Sequence, residues 1–134
     1  MTVIAASNTV QYSSDAAAYS SANFPTQIKS LSMTDNYTGS WRIYFELSNE
    51  EDTGSLVYGR IYKNDVAYGT TRSQYTYGYN GYSEDFTSIS ISSGDTIELY
   101  VWTEGDQLGV QNFRVKFDPA GLTAAQKAAF FQLF

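Results

Sequence analysis

Carboxylates are the side chains of this chain with the widest scope for chemistry, because its 134 residues include neither histidine nor cysteine. Ser-His-Asp, thiolate and zinc-hydrolase chemistry are therefore excluded, and disulfides are too. The acidic residues cluster in three predicted turns, at Glu50-Glu51-Asp52, at Glu84-Asp85 and at Glu104-Gly105-Asp106. Two carboxylates that face each other across a cleft could serve a glycosidase. Carboxylate oxygens in loops could bind calcium, but the spacing matches no EF-hand, and acidic turns are usually just solvated. We expect a protein that is not an enzyme and that holds no metal or cofactor.

Aromatic residues offer a binding face instead. Tyr75, Tyr77 and Tyr79 follow each other at i, i+2 and i+4, which in a strand places three phenols on one face. Together with Trp102 they form a possible ligand face, because flat rings and phenol hydroxyls suit the C–H faces and hydroxyls of sugars. Ordinary cross-strand packing or a subunit interface would use the same residues, since tyrosine is common in both.

The charge pattern limits the partners. The net charge is −6, and the eight Lys and Arg residues are scattered without a basic run. Phosphate backbones would be repelled, so we expect no nucleic-acid partner. The first residues show no basic or apolar leader pattern and no window reaches the length of a membrane span, so we expect neither export by a signal nor a membrane partner.

Period-2 alternation predicts an all-β fold. On the most regular strand, Trp41, Ile43, Phe45 and Leu47 share one face. Further strands are predicted from position 56 to an Asn64-Asp65 hairpin, over 96–102 after a Gly94-Asp95 turn, and over 112–117. Residues 26–118 are therefore predicted to form an antiparallel β-sandwich of the jelly-roll kind.

The two ends of the chain differ from this pattern. Residues 1–25 are rich in Ser, Ala and Asn and predict an N-terminal loop or arm, with room for short edge strands, that lies on its own domain or on a neighbour. Residues 119–134 predict one short C-terminal helix, because Thr123 and Gln126 have capping-box spacing. Its apolar residues either cover the sandwich or form a docking or oligomer interface. In the second case the predicted interface residues are Phe130, Phe131, Leu133 and Phe134.

Three segments, 60–70, 94–100 and 111–115, resemble a β-sandwich module of tailed-virus virion proteins, such as head decoration proteins and fibres. A Gly-Asp turn before an apolar strand is also similar to that of C1q-type and tumour-necrosis-factor-type jelly rolls. The resemblance covers residues 41–117 and implies a jelly roll that assembles as a homotrimer, with no catalytic residues. Asp65 stands where the hairpin pattern favours glycine.

The leading hypothesis is accordingly a non-enzymatic virion structural protein, a capsid decoration or fibre-like subunit. It would act by self-assembly, with a trimer favoured, and by docking on other virion proteins such as a major capsid protein. One alternative is a carbohydrate-binding β-sandwich module with glycans as partners. Another is an extracellular filament subunit that assembles by strand addition.

Overall fold

The structure is a computed structural model that describes residues 2–119. Within that range the chain forms ten β-strands and no helix. The strands are β1 (Thr2–Ser14), β2 (Ala18–Ser20), β3 (Thr26–Ser32), β4 (Tyr37–Asn49), β5 (Val57–Lys63), β6 (Val66–Ala67), β7 (Arg72–Gln74), β8 (Asn80–Ile91), β9 (Thr96–Thr103) and β10 (Leu108–Pro119). No helix suited to crossing a membrane is found among these residues.

The helix predicted over residues 119–134 lies outside the described residues, apart from Pro119, which ends β10. The same is true of the predicted interface residues. Phe130, Phe131, Leu133 and Phe134 all follow the last described residue.

The strands form two sheets. Sheet I has the order β2-β10-β1-β4-β8, with β10 also paired to β4. Sheet II has the order β3-β9-β5-β6, and β7 pairs with β5. The pairings between described strands are antiparallel except for a short parallel one, in which Thr2–Ile4 of β1 runs beside the start of β4. The predicted all-β class is confirmed.

The predicted alternation on β4 is confirmed. Trp41, Ile43, Phe45 and Leu47 are buried, and the residues between them are partly exposed. They share one hydrophobic cluster with side chains of sheet II, among them Ile61 of β5 and the inward residues of β9. A single core between two sheets is consistent with a β-sandwich.

Close contact between the sheets depends on a glycine. A Cβ atom at Gly59 of β5 would lie 2.8 Å from Cε2 of Phe45, a residue of β4 in the opposite sheet. Carbon atoms pack best at about 3.5–4.0 Å, so only glycine lets the Phe45 ring approach this backbone. The Phe45 ring therefore fills the space that a side chain at position 59 would need.

The N-terminal region differs from the expected loop or arm with short edge strands. Residues 2–14, expected to belong to a loop or arm, form β1, which pairs with β10 from Ile4 opposite Pro119 to Ser14 opposite Phe113. β2 pairs with β10 as well. Beyond Ser14 the chain is fastened by Lys29, whose Nζ donates to Ser14 Oγ (3.0 Å) and to the Ala16 carbonyl (2.6 Å). A Ser- and Ala-rich segment has no strong period of its own, so its partner strand determines its conformation.

The predicted hairpin at Asn64-Asp65 is confirmed. Both residues have a left-handed backbone (φ 49° and 65°), and β5 pairs with β6 around them. Asp65 replaces the expected glycine without loss of the turn, because its amide donates to Glu98 Oε1 (2.9 Å) and its Oδ1 accepts from Tyr100 Oη (3.1 Å). Asn and Asp tolerate this region better than most residues.

Candidate functional site

The segment of the predicted tyrosine face is a loop, which corrects the strand predicted there. β7 ends at Gln74 and β8 begins at Asn80, so residues 75–79 cross from sheet II to sheet I at one end of the sandwich. The buried side chain of Gln74 donates to the carbonyls of Thr76 (2.7 Å) and Gly78 (2.8 Å). These bonds satisfy loop carbonyls that a strand ladder would otherwise use.

Further bonds tie the loop to the end of β4. The amide of Asn49 donates to the Thr76 carbonyl (3.2 Å), and the Gly78 amide donates to Ser48 Oγ (3.0 Å). The loop is thus held by side chains and backbone of both sheets. Tyr75 and Tyr77 project from it with 55% and 68% of their surface exposed.

Tyr79 points the other way. Its ring lies over the outer side of sheet I, where a Cβ at Gly109 would meet Tyr79 Oη at 2.9 Å and Glu50 Oε1 at 2.6 Å. The Tyr79 hydroxyl is buried, with no hydrogen-bond partner of good geometry among residues 2–119. Burial, followed by the nearby Tyr19, Glu50 and Glu46, raises the pKa of Tyr79 to about 12. The three predicted tyrosines therefore do not share one face.

Trp102 forms a stacked pair with Tyr58 on the outer face of sheet II. The two residues are direct partners across β5 and β9, and their rings lie 5.2 Å apart at 13°. Tyr58 Oη donates to Oε1 of Glu104 (2.6 Å). The pKa of Tyr58 is raised, first by this hydrogen bond and then by burial and by the charges of Glu104 and Tyr75. Trp102 of the predicted set is thus stacked on a residue that the set omitted.

Phe24 lies in the segment that runs along the end of β9. β3 pairs with β9 from Thr26 onward, and the amide of Thr103 donates to the carbonyl of Ala22 (2.9 Å). The chain between these two points therefore runs along the end of β9, next to Trp102. Phe24 has 63% of its surface exposed.

Exposed aromatic side chains are concentrated at this end. Tyr19, Phe24, Tyr75 and Tyr77 are the aromatic residues among the exposed large hydrophobic side chains of the described chain, and each lies on β2 or in a loop at this end. We call this end of the sandwich, together with the stacked pair, the aromatic end. It comprises Phe24, Tyr58, Tyr75, Tyr77 and Trp102.

Asp106 orders the acidic loops next to the aromatic end. Its buried carboxylate accepts hydrogen bonds from Asn49 Nδ2 (2.8 Å), from the Thr53 amide (2.9 Å) and from the Thr53 hydroxyl. The hydrogen bonds from Thr53 and Asn49 lower the pKa of Asp106 to about 2. This carboxylate joins the β4–β5 and β9–β10 loops, and a carboxyl group with so low a pKa cannot serve as a glycosidase acid near neutral pH.

Glu84 and Asp85 lie on β8 and bind partners of their own. Glu84 accepts from the Thr70 amide (3.0 Å), and Asp85 forms an ion pair with Arg42 (2.7 Å) that lowers the pKa of Asp85. Within residues 2–119, no three potential metal-ligating side chains of the His, Cys, Asp and Glu types come together.

The loops at the aromatic end contain acidic residues and no cations. The sequence has no Lys or Arg in positions 1–28, 43–59 and 73–113, which include every loop at this end. The three ion pairs of the described chain involve Asp15, Glu84 and Asp85, none of which belongs to these loops. The aromatic end is therefore bordered by uncompensated negative charge.

The outer face of sheet I is polar and satisfied internally. Tyr44 Oη donates to Glu46 Oε2 (2.6 Å), and Lys116 Nζ lies 4.3 Å from the centre of the Tyr44 ring. Arg42 and Arg114 each pair with an aspartate. Because these groups bind one another, this face offers fewer free contacts than the aromatic end.

Several residues of the site were missed at the sequence level. The outward position of Tyr58 could have been predicted from the strand period of two residues. Tyr58 and Tyr62 lie on one face of β5, as Tyr100 and Trp102 lie on one face of β9. Tyr62 and Tyr100 form a second stacked pair (3.8 Å, 7°) on the same outer face. Phe24 had no comparable signal, because its position depends on how β3 pairs with β9.

Comparisons with known proteins identify the architecture. No protein-family model matches this chain, and no curated protein matches its sequence. The fold is similar to a solved structure, the EclA C-terminal domain, described as a sugar-binding protein. The superposition has a TM-score of 0.54, covers 77% of this chain and 79% of that chain, and aligns residues that are 11% identical. At this identity the likeness shows the fold alone.

Proposed function

We propose that this protein is a carbohydrate-binding β-sandwich module that holds a sugar at the aromatic end. The observation that carries the proposal is the stacked pair of Tyr58 and Trp102 at the same end of the sandwich as three exposed aromatic side chains, those of Phe24, Tyr75 and Tyr77. Aromatic rings bind the C–H faces of sugars, while carboxylates and hydroxyls bind sugar hydroxyls. The similarity to a domain described as sugar-binding supports the same function.

The geometry suits a shallow, exposed contact. Tyr58 is fixed by its partner Trp102 and by its bond to Glu104, so its ring needs little ordering when a ligand arrives. Tyr75 and Tyr77 come from a loop that Gln74 and Ser48 hold in place. A sugar chain would stack on the rings at the mouth of the sandwich and hydrogen-bond to the loops around them.

A glycan microarray probed with the full chain and with two variants tests this function. Trp102→Ala removes the ring from the aromatic end, and Tyr62→Ala removes one from the second stacked pair as a matched control. We expect Trp102→Ala to weaken binding roughly tenfold or more, as for a central aromatic anchor, and Tyr62→Ala to bind as the parent does. Absence of any bound glycan would refute the proposal, and so would equal binding by Trp102→Ala.

Tryptophan fluorescence gives an independent signal. Of the two tryptophans, Trp41 is fully buried in the core and Trp102 is partly exposed. A change in emission on adding a bound glycan would therefore report on Trp102. A glycan that binds without changing the emission would contradict the placement of the site.

The virion structural function expected from the sequence stays a prediction. A glycan-binding module displayed on a virion would satisfy both hypotheses. The docking or oligomer interface was assigned to residues 130, 131, 133 and 134, which lie beyond the described range. The trimer is an implication of the resemblance to virion proteins and stays a prediction too.

A further inference from the structure

We propose that the aromatic end selects its sugar by charge. It binds oligosaccharides that carry protonated amines more tightly than neutral ones, and it rejects those that carry carboxylate or sulfate groups. This inference rests on the proposed function and names the ligand class of the same site. The carboxylate of Glu104 supplies a negative charge at the stacked pair.

Glu104 stands directly beside the stacked rings. It follows Trp102 by two residues, its amide donates to the Leu56 carbonyl (3.0 Å), and its Oε1 accepts from Tyr58 Oη (2.6 Å). The side chain is exposed, and among residues 2–119 no ion pair or second hydrogen bond occupies its carboxylate. One oxygen therefore orients the Tyr58 ring while the other remains available to a ligand.

The surrounding loops reinforce this charge. Glu50, Glu51 and Asp52 lie in the β4–β5 loop, which Asp106 joins to the loop that carries Glu104. The loops at this end contain no Lys or Arg. An anionic sugar would be repelled by these loops, whereas a cationic one would be attracted. The cation on the same face of β5, Arg60, follows Tyr58 by two residues and donates through Nε to the Gly69 carbonyl (2.6 Å).

An amine on the sugar ring would meet two compatible groups at once. An ammonium group forms short, charge-assisted hydrogen bonds with carboxylates. It is also attracted to the faces of tryptophan and tyrosine rings. Glu104 and the pair of Tyr58 and Trp102 place both kinds of group together. A 2-amino sugar in a β-linked chain presents the amine beside the C–H face that stacks, so one sugar unit reaches both.

The test compares oligosaccharides that differ in charge. The full chain is titrated calorimetrically at about pH 6, where a sugar amine carries its proton, with glucosamine oligomers, N-acetylglucosamine oligomers of equal length, and hyaluronan oligomers. The expected order of affinity is amine, then N-acetyl, with no binding of the acidic chain. The advantage of the amine should shrink between about 20 mM and about 300 mM salt, since exposed charges are screened.

Three variants separate specific recognition from diffuse attraction. Glu104→Gln keeps an oxygen for Tyr58, and we expect it to lower the affinity for glucosamine oligomers about fivefold while leaving the N-acetyl affinity within about twofold. Asp118→Asn removes the same charge from the exposed far end of β10 and should change neither. Trp102→Ala should abolish binding of both.

Each contrary outcome shows which of the two proposals fails. Equal or weaker binding of the amine form, or binding of hyaluronan, would overturn charge selection and leave the proposed function standing. Glucosamine binding that survives Trp102→Ala would overturn both, because the ligand would then lie elsewhere. Failure of all three oligomers would overturn the inference as well, while the microarray decides the proposed function separately.

Discussion

Replacing Gly59 with alanine probes the contact between the two sheets on which the site depends. The added methyl group would lie 2.8 Å from Cε2 and 3.2 Å from Cζ of Phe45, and 3.7 Å from Cδ1 of Leu99. Phe45 is buried in the core and cannot swing aside freely. We expect β5 to be pushed outward, and β5 carries Tyr58.

The cost can be worked from this geometry. Overpacking a core costs about 1–3 kcal/mol, and the loss of glycine entropy in the unfolded chain offsets about 0.4–1 kcal/mol. The net destabilisation is therefore about 1.5 kcal/mol. With an unfolding entropy of about 2.1 cal/mol/K per residue over 134 residues, this corresponds to a fall in Tm of about 5 °C.

Urea and thermal unfolding of four variants measure the effect. Phe45→Leu should partly relieve Gly59→Ala, so the double variant should be more stable than the sum of the single changes indicates. Gly105→Ala is the matched control, because its Cβ would also meet an atom at 2.8 Å, but that atom is the mobile hydroxyl of Ser55. A Gly59→Ala protein as stable as the parent, or one that Phe45→Leu does not relieve, would refute this packing.

Three further changes test other parts of the structure. Asp106→Asn should lower stability at neutral pH, because Thr53 and Asn49 lose a charged acceptor. The pKa of Asp106 is about 2 in the folded state and 3.8 ordinarily, so the parent protein should lose this stabilisation as the pH falls from about 4 to about 2. Urea midpoints measured over this pH range should show that loss for the parent and not for the variant. Ser88→Gly should raise stability by up to about 1 kcal/mol in the same assay, because Ser88 is exposed with a left-handed backbone (φ 54°). Tyr79→Phe removes a buried hydroxyl without a suitable partner among residues 2–119, so thermal unfolding should show equal or greater stability by up to about 1 kcal/mol, and a clear loss would mean that the hydroxyl is satisfied.

Local patterns predicted the parts of the fold that local chemistry determines. The alternation from Trp41 to Leu47 has the strand period, and the Asn64-Asp65 pair tolerates a left-handed turn, so both predictions were confirmed. β1 was missed because its ladder with β10 joins opposite ends of the described chain. No short window of sequence contains the information for such a pairing.

The site was predicted only in part for the same reason. The tyrosines at 75, 77 and 79 have strand spacing, but the side-chain amide of Gln74 donates hydrogen bonds to the loop carbonyls, and the segment does not form a strand. Trp102 was predicted to belong to a ligand face, yet its stacking partner Tyr58 depends on the register between β5 and β9. Register arises from the whole sheet, so it requires the structure.

Amide NMR mapping of the full chain with the tightest glycan from the array tests the central claim most directly. Binding at the aromatic end predicts that the largest chemical-shift changes fall in residues 19–25, 56–58, 73–79 and 102–107. The polar face around Arg42, Tyr44 and Lys116 should remain unchanged. Changes centred on that face, or no changes with any glycan, would contradict the account.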